Sequence, residues 1–375
     1  MLGCDYTQYS FVCHQCGRKT LDPLTYRCSC GQPLTVDLTL DFKINKVRLN
    51  VYSGWRYAFS FPYVKKTEIV TLGEGWTPLI KFSENTYFKL ESANPTGSFK
   101  DRGSTVLISA THKLIKESGS QISEDSSGNA GASIAAYAAR AALKAKIYVP
   151  QKVSGPKLNQ IKFFGAEVIK VSGSRNRVAI LAQKPEEGKL YIGHILHPLF
   201  RDGLRSLSYE ITEQLNWQAP DRIYLPVSAG TLLLGLMEGY AHLLQSNIIE
   251  SMPRIVACQT KQVSPIYHLF NNLSYSPLSR ITSIADALVS VNPPLLNIVV
   301  DHLRRWNGDA VIVDENEILT AFNELACQGF FVEPSSAVAY AGYKKQRHNQ
   351  ESMEHERTVL ILTGTGLKSQ LIPNK

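Results

Sequence analysis

The chain reads as a two-domain α/β protein built on mostly parallel sheets, with a small cysteine-rich module in front. Three observations predict this. Short apolar runs alternate with helical patterns along most of the 375 residues, as expected of strands buried on both faces and joined by crossover helices. The length suits two domains with a sizeable core. Four of the seven cysteines fall within residues 13–30, a spacing with its own chemical logic.

That module comes first. Cys13-x-x-Cys16 and Cys28-x-Cys30 are each followed by glycine, Gly17 and Gly31. Two such knuckles can bring four thiolates onto one tetrahedral zinc ion, so the stretch is expected to be zinc-ribbon-like. Cys4 and His14 are spare ligands. The plain alternative is four free thiols in a loose arm. Residues 41–70 are polar and aromatic and give no clear element. Gly73-Glu74-Gly75-Trp76-Thr77-Pro78-Leu79 marks a turn into the main body. Strands are predicted at Lys146–Pro150, Glu167–Val171, Arg222–Val227, Arg254–Ala257 and Thr358–Leu362, and helices at Ala132–Leu143, Leu232–Leu244 and Glu315–Cys327. No internal repeat or low-complexity tract interrupts them.

Composition narrows the function. The apolar fraction of 44% and charged fraction of 19% are those of an ordinary globular enzyme. The formal charge of +8 suits acidic ligands without demanding nucleic acid. Residues 1–50 hold six basic side chains against four acidic ones, which is no electrostatic stripe. No apolar run reaches the length of a membrane span, and the first residues do not read as a secretory signal. An odd total of seven cysteines, four of them clustered, points to a reducing cytoplasm rather than a disulfide framework.

Four segments carry chemistry. In Asn94-Pro95-Thr96-Gly97-Ser98-Phe99-Lys100-Asp101-Arg102-Gly103 a lysine sits among turn-formers. The run is poor material for a helix and well placed to present an amine to a bound aldehyde. Ser126-Ser127-Gly128-Asn129-Ala130-Gly131 opens onto an alanine-rich helix, where free N–H groups favour an anion. Pro226-Val227-Ser228-Ala229-Gly230-Thr231 links a strand to a helix in the manner of a phosphate cradle. Leu362-Thr363-Gly364-Thr365-Gly366-Leu367-Lys368 closes the last strand. A surface lysine, a Ser/Asn helix cap and plain glycine turns are the bland readings of the same segments.

Together these motifs resemble pyridoxal-phosphate enzymes of the tryptophan-synthase β fold type (fold type II), and threonine synthases most closely. The resemblance runs from about residue 11 to 370 and implies the following roles. Lys100 carries pyridoxal 5'-phosphate as a Schiff base. Ser228, Ala229, Gly230 and Thr231 hold its phosphate, Asn129 its ring hydroxyl, and Thr363 its ring nitrogen, with Thr365 in reserve. Ser126 and Ser127 take the substrate carboxylate. Glu333-Pro334-Ser335-Ser336 also matches, with Glu333 near the ring or simply preceding a helix. The implied domains are 1–40 for the zinc-ribbon-like module, 41–94 with 195–375 for the large cofactor-binding domain, and 95–194 for a smaller α/β domain.

Two regions depart from the family pattern. Threonine synthases commonly show Gly-Asn-x-Gly where this chain keeps only Gly230, and Ser228 and Thr231 supply hydroxyls in compensation. They usually have asparagines before Pro198 and Lys-Thr near Arg205-Ser206, where this chain has His194, His197 and Arg205-Ser206. A substrate phosphate needs side chains of its own, and Arg175, Arg177 and Arg205 are the expected donors, with the two histidines as further contacts. The expected reaction converts O-phospho-L-homoserine and water to L-threonine and phosphate. The alternatives are a serine/threonine dehydratase or an O-phosphoserine β-replacement enzyme of the same fold type. The expected partners are a small amino-acid phosphate ester and a second copy of the chain in a homodimer, with no nucleic acid and no membrane.

Overall fold

The structure, a computed structural model, describes residues 9–349 and 355–369. Cys4, the spare thiol of the sequence, lies outside the described residues. The cysteine module is a small antiparallel sheet of β1 (Tyr9–Cys13), β2 (Lys19–Thr20) and β3 (Leu34–Leu38), in the order β2-β1-β3. Its apolar residues are too few for a core of their own. Phe11, Cys13, Cys28 and Leu34 join a cluster supplied mainly by the neighbouring domain. Residues 41–70, unassigned from the sequence, form a strap of short 3-10 turns. The strap is pinned by aromatic packing of Phe42 and Tyr57 on Tyr209, at ring-centroid distances of 4.7 and 5.5 Å.

The body begins with β4 (Leu79–Lys81) and β5 (Thr86–Leu90). Then come α1 (Lys100–Glu117), β6 (Gln121–Glu124), α2 (Asn129–Arg140), β7 (Ala145–Pro150), α3 (Pro156–Phe163), β8 (Glu167–Val171), α4 (Arg175–Gln183) and β9 (Lys189–Tyr191). The chain continues through α5 (Pro198–Gly203), α6 (Ser206–Gln214), β10 (Arg222–Pro226), α7 (Thr231–Gln245), β11 (Arg254–Thr260), α8 (Pro265–Phe270) and α9 (Leu296–Arg305). It ends with β12 (Asp309–Val313), α10 (Glu315–Cys327), α11 (Pro334–Asn349) and β13 (Thr358–Leu362). Two sheets result. The larger has the order β12-β11-β10-β13-β5-β4 and is parallel except for its edge strand β4. The smaller, β8-β7-β6-β9, is wholly parallel.

Local chemistry explains the elements. β10 and β13 are buried at every position, which is why their sequences read as continuous apolar runs rather than alternations. α10 starts at a capping box in which Asp314 accepts the Glu317 N–H and Glu317 reaches back to the Asp314 N–H. α7 is apolar almost all round and lies buried.

One expectation needs correction. Lys100 does not sit in a turn: it is the first residue of the 18-residue helix α1. The turn-formers end at Phe99, and the long-range partners of Asp101 and Arg102 hold the first turn of the helix in place of local propensity. Asp101 accepts the Thr96 N–H and hydroxyl at 2.7 and 2.6 Å and the Ser133 hydroxyl at 2.6 Å. Arg102 bonds Glu91 at 2.7 Å and Glu210 at 2.8 Å, and Lys89 bonds Glu210 at 2.5 Å. All four of these charges are fully buried. Each must be paired to be tolerated there, so the network fixes β5, α1 and α6 relative to one another.

Candidate active site

The Lys100 segment is stitched to the end of the last strand. The Phe99 N–H donates to the Thr363 carbonyl at 3.1 Å and the Thr365 N–H to the Gly97 carbonyl at 3.0 Å. This brings the start of α1 beside the Thr363–Lys368 segment that follows β13. The Lys100 side chain is half-buried. Its Nζ lies 4.6 Å from the Phe99 ring centroid and 5.8 Å from that of Phe200, and has no hydrogen-bond or ion-pair partner among the described residues. Burial lowers its pKa to about 8, against the opposing fields of Glu124 and Glu333. A reactive, partly neutral amine is the result.

Asn129 opens α2 and is buried. Its Nδ2 donates to both oxygens of Glu333, at 3.0 and 3.1 Å. Its Oδ1 is buried without a partner among the described residues, an orphan that a ligand hydroxyl would satisfy. Around it, the N–H groups of Ser127, Asn129, Ala130 and Gly131 meet no acceptor among the described residues. Ser126 turns its hydroxyl inward to accept the Gly128 N–H at 3.3 Å. Gly131 is required by the loop itself. A Cβ there would lie 1.9 Å from the Ser126 carbonyl oxygen, so the glycine serves the loop's own tight return rather than a ligand's approach.

The 228–231 turn follows β10 and caps α7. Gly230 is left-handed, at φ 91°. Among the described residues no acceptor meets the N–H groups of Ser228 through Leu233, and they sit at the positive end of a 15-residue helix. That donor set fits a phosphate group.

Thr363 is buried, and its Oγ1 lies 2.9 Å from Ser336 Oγ. Ser336 Oγ accepts the Gly364 N–H at 2.8 Å. When Ser336 donates its own proton to Thr363, the threonine hydroxyl hydrogen is free for a ring nitrogen. Thr365 is used otherwise: its Oγ1 caps the short turn after it, accepting from the Leu367 N–H.

Residues missed by sequence reasoning complete the neighbourhood. Glu124, the last residue of β6, is fully buried and bonded to His194, with Nδ1 at 2.8 Å and the backbone N–H at 2.9 Å. Lys157 of α3 bridges Glu333 and Asp286, each at 3.1 Å. Lys368 donates to the Thr96 carbonyl at 2.6 Å, and burial lowers its pKa to about 8. β6 reads Gln-Ile-Ser-Glu, with a single apolar residue, so nothing local in the sequence marks Glu124.

The arginines divide. Arg175 begins α4 and reaches Asp125 Oδ2 at 3.5 Å, next to the Ser126 loop, with its side chain half exposed. Arg177 is exposed on the same helix. Arg205 is corrected outright. It is fully buried beneath the strap, spent on Asp202, the Tyr209 hydroxyl, His242 and the Ser60 carbonyl. A guanidinium so occupied has no donor left for a substrate phosphate. His197 is also interior, accepting the Leu199 N–H, and burial lowers its pKa to about 3.

Far from Lys100 in sequence, the four cysteines converge. The Sγ atoms of Cys13, Cys16, Cys28 and Cys30 all lie within 4.8 Å of one another, with Cys13–Cys30 at 3.4 Å and Cys16–Cys28 at 3.6 Å. Sulfurs at about 2.3 Å from a common tetrahedral centre would have similar separations. The module is bound to the body by Arg201 of α5, which donates to the Leu34 carbonyl.

Comparison with known proteins gives the family of the chain. Residues 70–364 match the family model described as pyridoxal-phosphate dependent enzyme. The threonine synthase of Methanocaldococcus jannaschii is 34% identical over 95% of this chain and 92% of its own length. That of Methanosarcina acetivorans is 30% identical over 96% and 92%. Among solved structures, maize serine racemase superposes with a TM-score of 0.65 at 24% identity, covering 79% of this chain and 89% of that one. A threonine deaminase from Solanum lycopersicum gives 0.67 at 20%, covering 83% and 84%. At such identities the structural likeness speaks for the fold alone.

Proposed function

The chain belongs to the pyridoxal-phosphate-dependent enzymes and, within them, to the threonine synthases, and from that premise we propose that it converts O-phospho-L-homoserine and water to L-threonine and phosphate. The observation that carries the reading is the Lys100 amine, which has no partner among the described residues and lies in the fields of Glu124 and Glu333, in a chain that matches threonine synthases over nearly its full length.

Lys100 is assigned to bind the cofactor. The N–H groups of 228–233 hold its phosphate, the orphaned Asn129 Oδ1 meets its ring hydroxyl, and Thr363 its ring nitrogen. When bound, pyridoxal phosphate supplies an electron sink that acidifies the substrate's carbon–hydrogen bonds. The protein does the rest. The free N–H groups of Ser127 and Asn129–Gly131 orient the substrate carboxylate, as expected of the Ser126–Ser127 loop. With a pKa near 8, the Lys100 amine is poised to take and return protons at Cα, Cβ and Cγ. Phe99 and Phe200 exclude water from one side of it. Arg175 is the arginine that remains in reach of a substrate phosphate, beside the Ser126 loop.

The finer assignments belong to the same proposal. Cys13, Cys16, Cys28 and Cys30 hold one structural zinc ion, which replaces the core that the module lacks. The chain divides into residues 1–40, the large domain of 41–94 with 195–375, and the smaller domain of 95–194. It acts as a cytoplasmic homodimer. The test is turnover of O-phosphohomoserine, O-phosphoserine and threonine in turn, with Lys100→Ala as control. Threonine and phosphate from the first substrate, lost with the lysine, support the reading. Robust conversion of threonine to 2-oxobutanoate, with no activity on the ester, would replace it with a dehydratase.

A further inference from the structure

We propose that His194, held in place by Glu124, is the acid that protonates the ester oxygen as the substrate's phosphate departs. The inference rests on the threonine synthase reading and adds a second proton-handling group beside Lys100.

The geometry is that of an acid–base dyad. The buried Glu124 carboxylate accepts the His194 ring at Nδ1 with one oxygen, at 2.8 Å, and the His194 backbone N–H with the other, at 2.9 Å. This fixes both the tautomer and the plane of the ring: Nδ1 carries a hydrogen toward Glu124, and Nε2 points away. Nε2 has no partner among the described residues, and the ring is not wholly enclosed. Burial pushes the Glu124 carboxyl up, but His194 more than offsets that and holds it ionised.

The dyad and the reactive lysine share a neighbour. Phe200 is the common neighbour: its ring centroid is 5.8 Å from that of His194 and 5.8 Å from Lys100 Nζ. Glu124 also precedes by two residues the loop assigned to the substrate carboxylate. The other charged groups facing the pair are Lys100, Asp125 and Arg175, with Tyr191 donating to Asp125 at 2.6 Å. The remaining nearby cations are committed or unsuited. Lys157 is locked between Asp286 and Glu333, Lys368 is bound to the Thr96 carbonyl, and an arginine does not give up its proton.

The chemistry calls for such a group. A phosphate monoester dianion leaving without a proton departs as a trianion, whereas Lys100 is occupied with protons on carbon. In the proposed step Lys100 takes a proton from Cβ, the electron pair of that C–H bond becomes the Cβ=Cγ double bond, and the Cγ–O bond breaks with its electron pair going to the ester oxygen. The Nε2 proton passes to that oxygen. The imidazole is left neutral, still donating Nδ1–H to Glu124, and regains its proton from water.

His194→Asn and Glu124→Gln test this on two substrates: O-phosphohomoserine, and 2-amino-3-butenoic acid, the unsaturated amino acid that phosphate loss leaves behind. The second needs no leaving-group proton. We expect kcat on the ester to fall about 100-fold or more in His194→Asn, with turnover of the unsaturated acid little changed. Unchanged visible absorption and borohydride trapping at Lys100 would show that the site is otherwise intact. Glu124→Gln keeps an acceptor for Nδ1 but removes the charge, and should show the same split in milder form, which keeps the test alive if the first variant folds poorly. Equal losses on both substrates, or an undiminished rate on the ester, would overturn the assignment while leaving the functional reading standing. Wild-type protein inert on the ester would overturn both.

Discussion

Gly230→Ala should cripple cofactor binding without touching any group that makes a chemical bond. Gly230 adopts φ 91° at the cap of α7, a left-handed conformation that costs a residue with a Cβ roughly 1–2 kcal/mol. A Cβ built there would lie 2.2 Å from Val299 Cγ2, in the buried face of α9. Forcing that overlap costs roughly a further 1–3 kcal/mol and pushes the turn off its packing. The N–H groups of 228–233 move with it. Loss of one charge-assisted hydrogen bond to the cofactor phosphate, worth about 1.5–3 kcal/mol, weakens binding roughly 10- to 100-fold. Titrating apo-protein with pyridoxal phosphate and following its absorption measures this directly. The double variant with Val299→Ala separates the two causes. Without the γ-methyls the nearest Val299 atom is Cβ, at 3.6 Å, an ordinary contact. The double variant should therefore bind more tightly than Gly230→Ala, though more weakly than wild type. Wild-type affinity in Gly230→Ala would refute the assignment of this turn as the phosphate cradle. Strictly additive losses in the double variant would refute the steric argument.

Three further outcomes follow from the same geometry. The rate at which apo-protein captures pyridoxal phosphate on Lys100, followed by borohydride trapping and peptide mapping, should rise with pH around a midpoint of about 8, because the amine reacts only when deprotonated and burial has lowered its pKa; a midpoint near that of free lysine, or an adduct on another lysine, would contradict the assignment. Glu210→Gln should destabilise the fold by roughly 3–5 kcal/mol, since it uncouples the buried Arg102 and Lys89; burial alone would raise the Glu210 pKa, but Arg102 and Lys89 bring it well below its ordinary value, so its contribution is present above the unfolded-state pKa and lost as pH falls below it, and the variant's denaturant midpoint should depend less on pH over that acidic range. Cys28→Ser/Cys30→Ser protein should lose its bound zinc by metal analysis and become more susceptible to proteolysis within residues 9–38, whereas unchanged zinc content would show that the ligands lie elsewhere.

Much of this was legible in the sequence because the relevant signals are local. Glu167–Val171, Thr358–Leu362 and Glu315–Cys327 coincide with β8, β13 and α10, since a fully buried apolar run in β13, the β-branched residues of the edge strand β8 and the capping box of α10 are all written in their own residues. The strap of residues 41–70 did not, because its aromatic side chains are organised by Tyr209 and other distant partners rather than by periodicity. Lys100 was read in a turn for a similar reason: the propensity of Thr96–Ser98 is local, while the bonds from Asp101 to Ser133 and from Arg102 to Glu210 that hold α1 are not. Arg205 had the right chemistry at the right distance along the chain, but only the fold reveals that Asp202 and Tyr209 already consume its donors. Glu124 is the converse case, silent in sequence until His194, 70 residues later, is seen beside it.

The most direct test of the account is turnover of O-phospho-L-homoserine in water enriched in the heavy oxygen isotope. If the chain is a threonine synthase, water adds to carbon, and the phosphate leaves with the oxygen that joined it to Cγ. The label should then appear in the β-hydroxyl of L-threonine and be absent from the phosphate when it is first released. Label in the phosphate, with homoserine as the other product, would mean that water attacks phosphorus and would contradict the central claim.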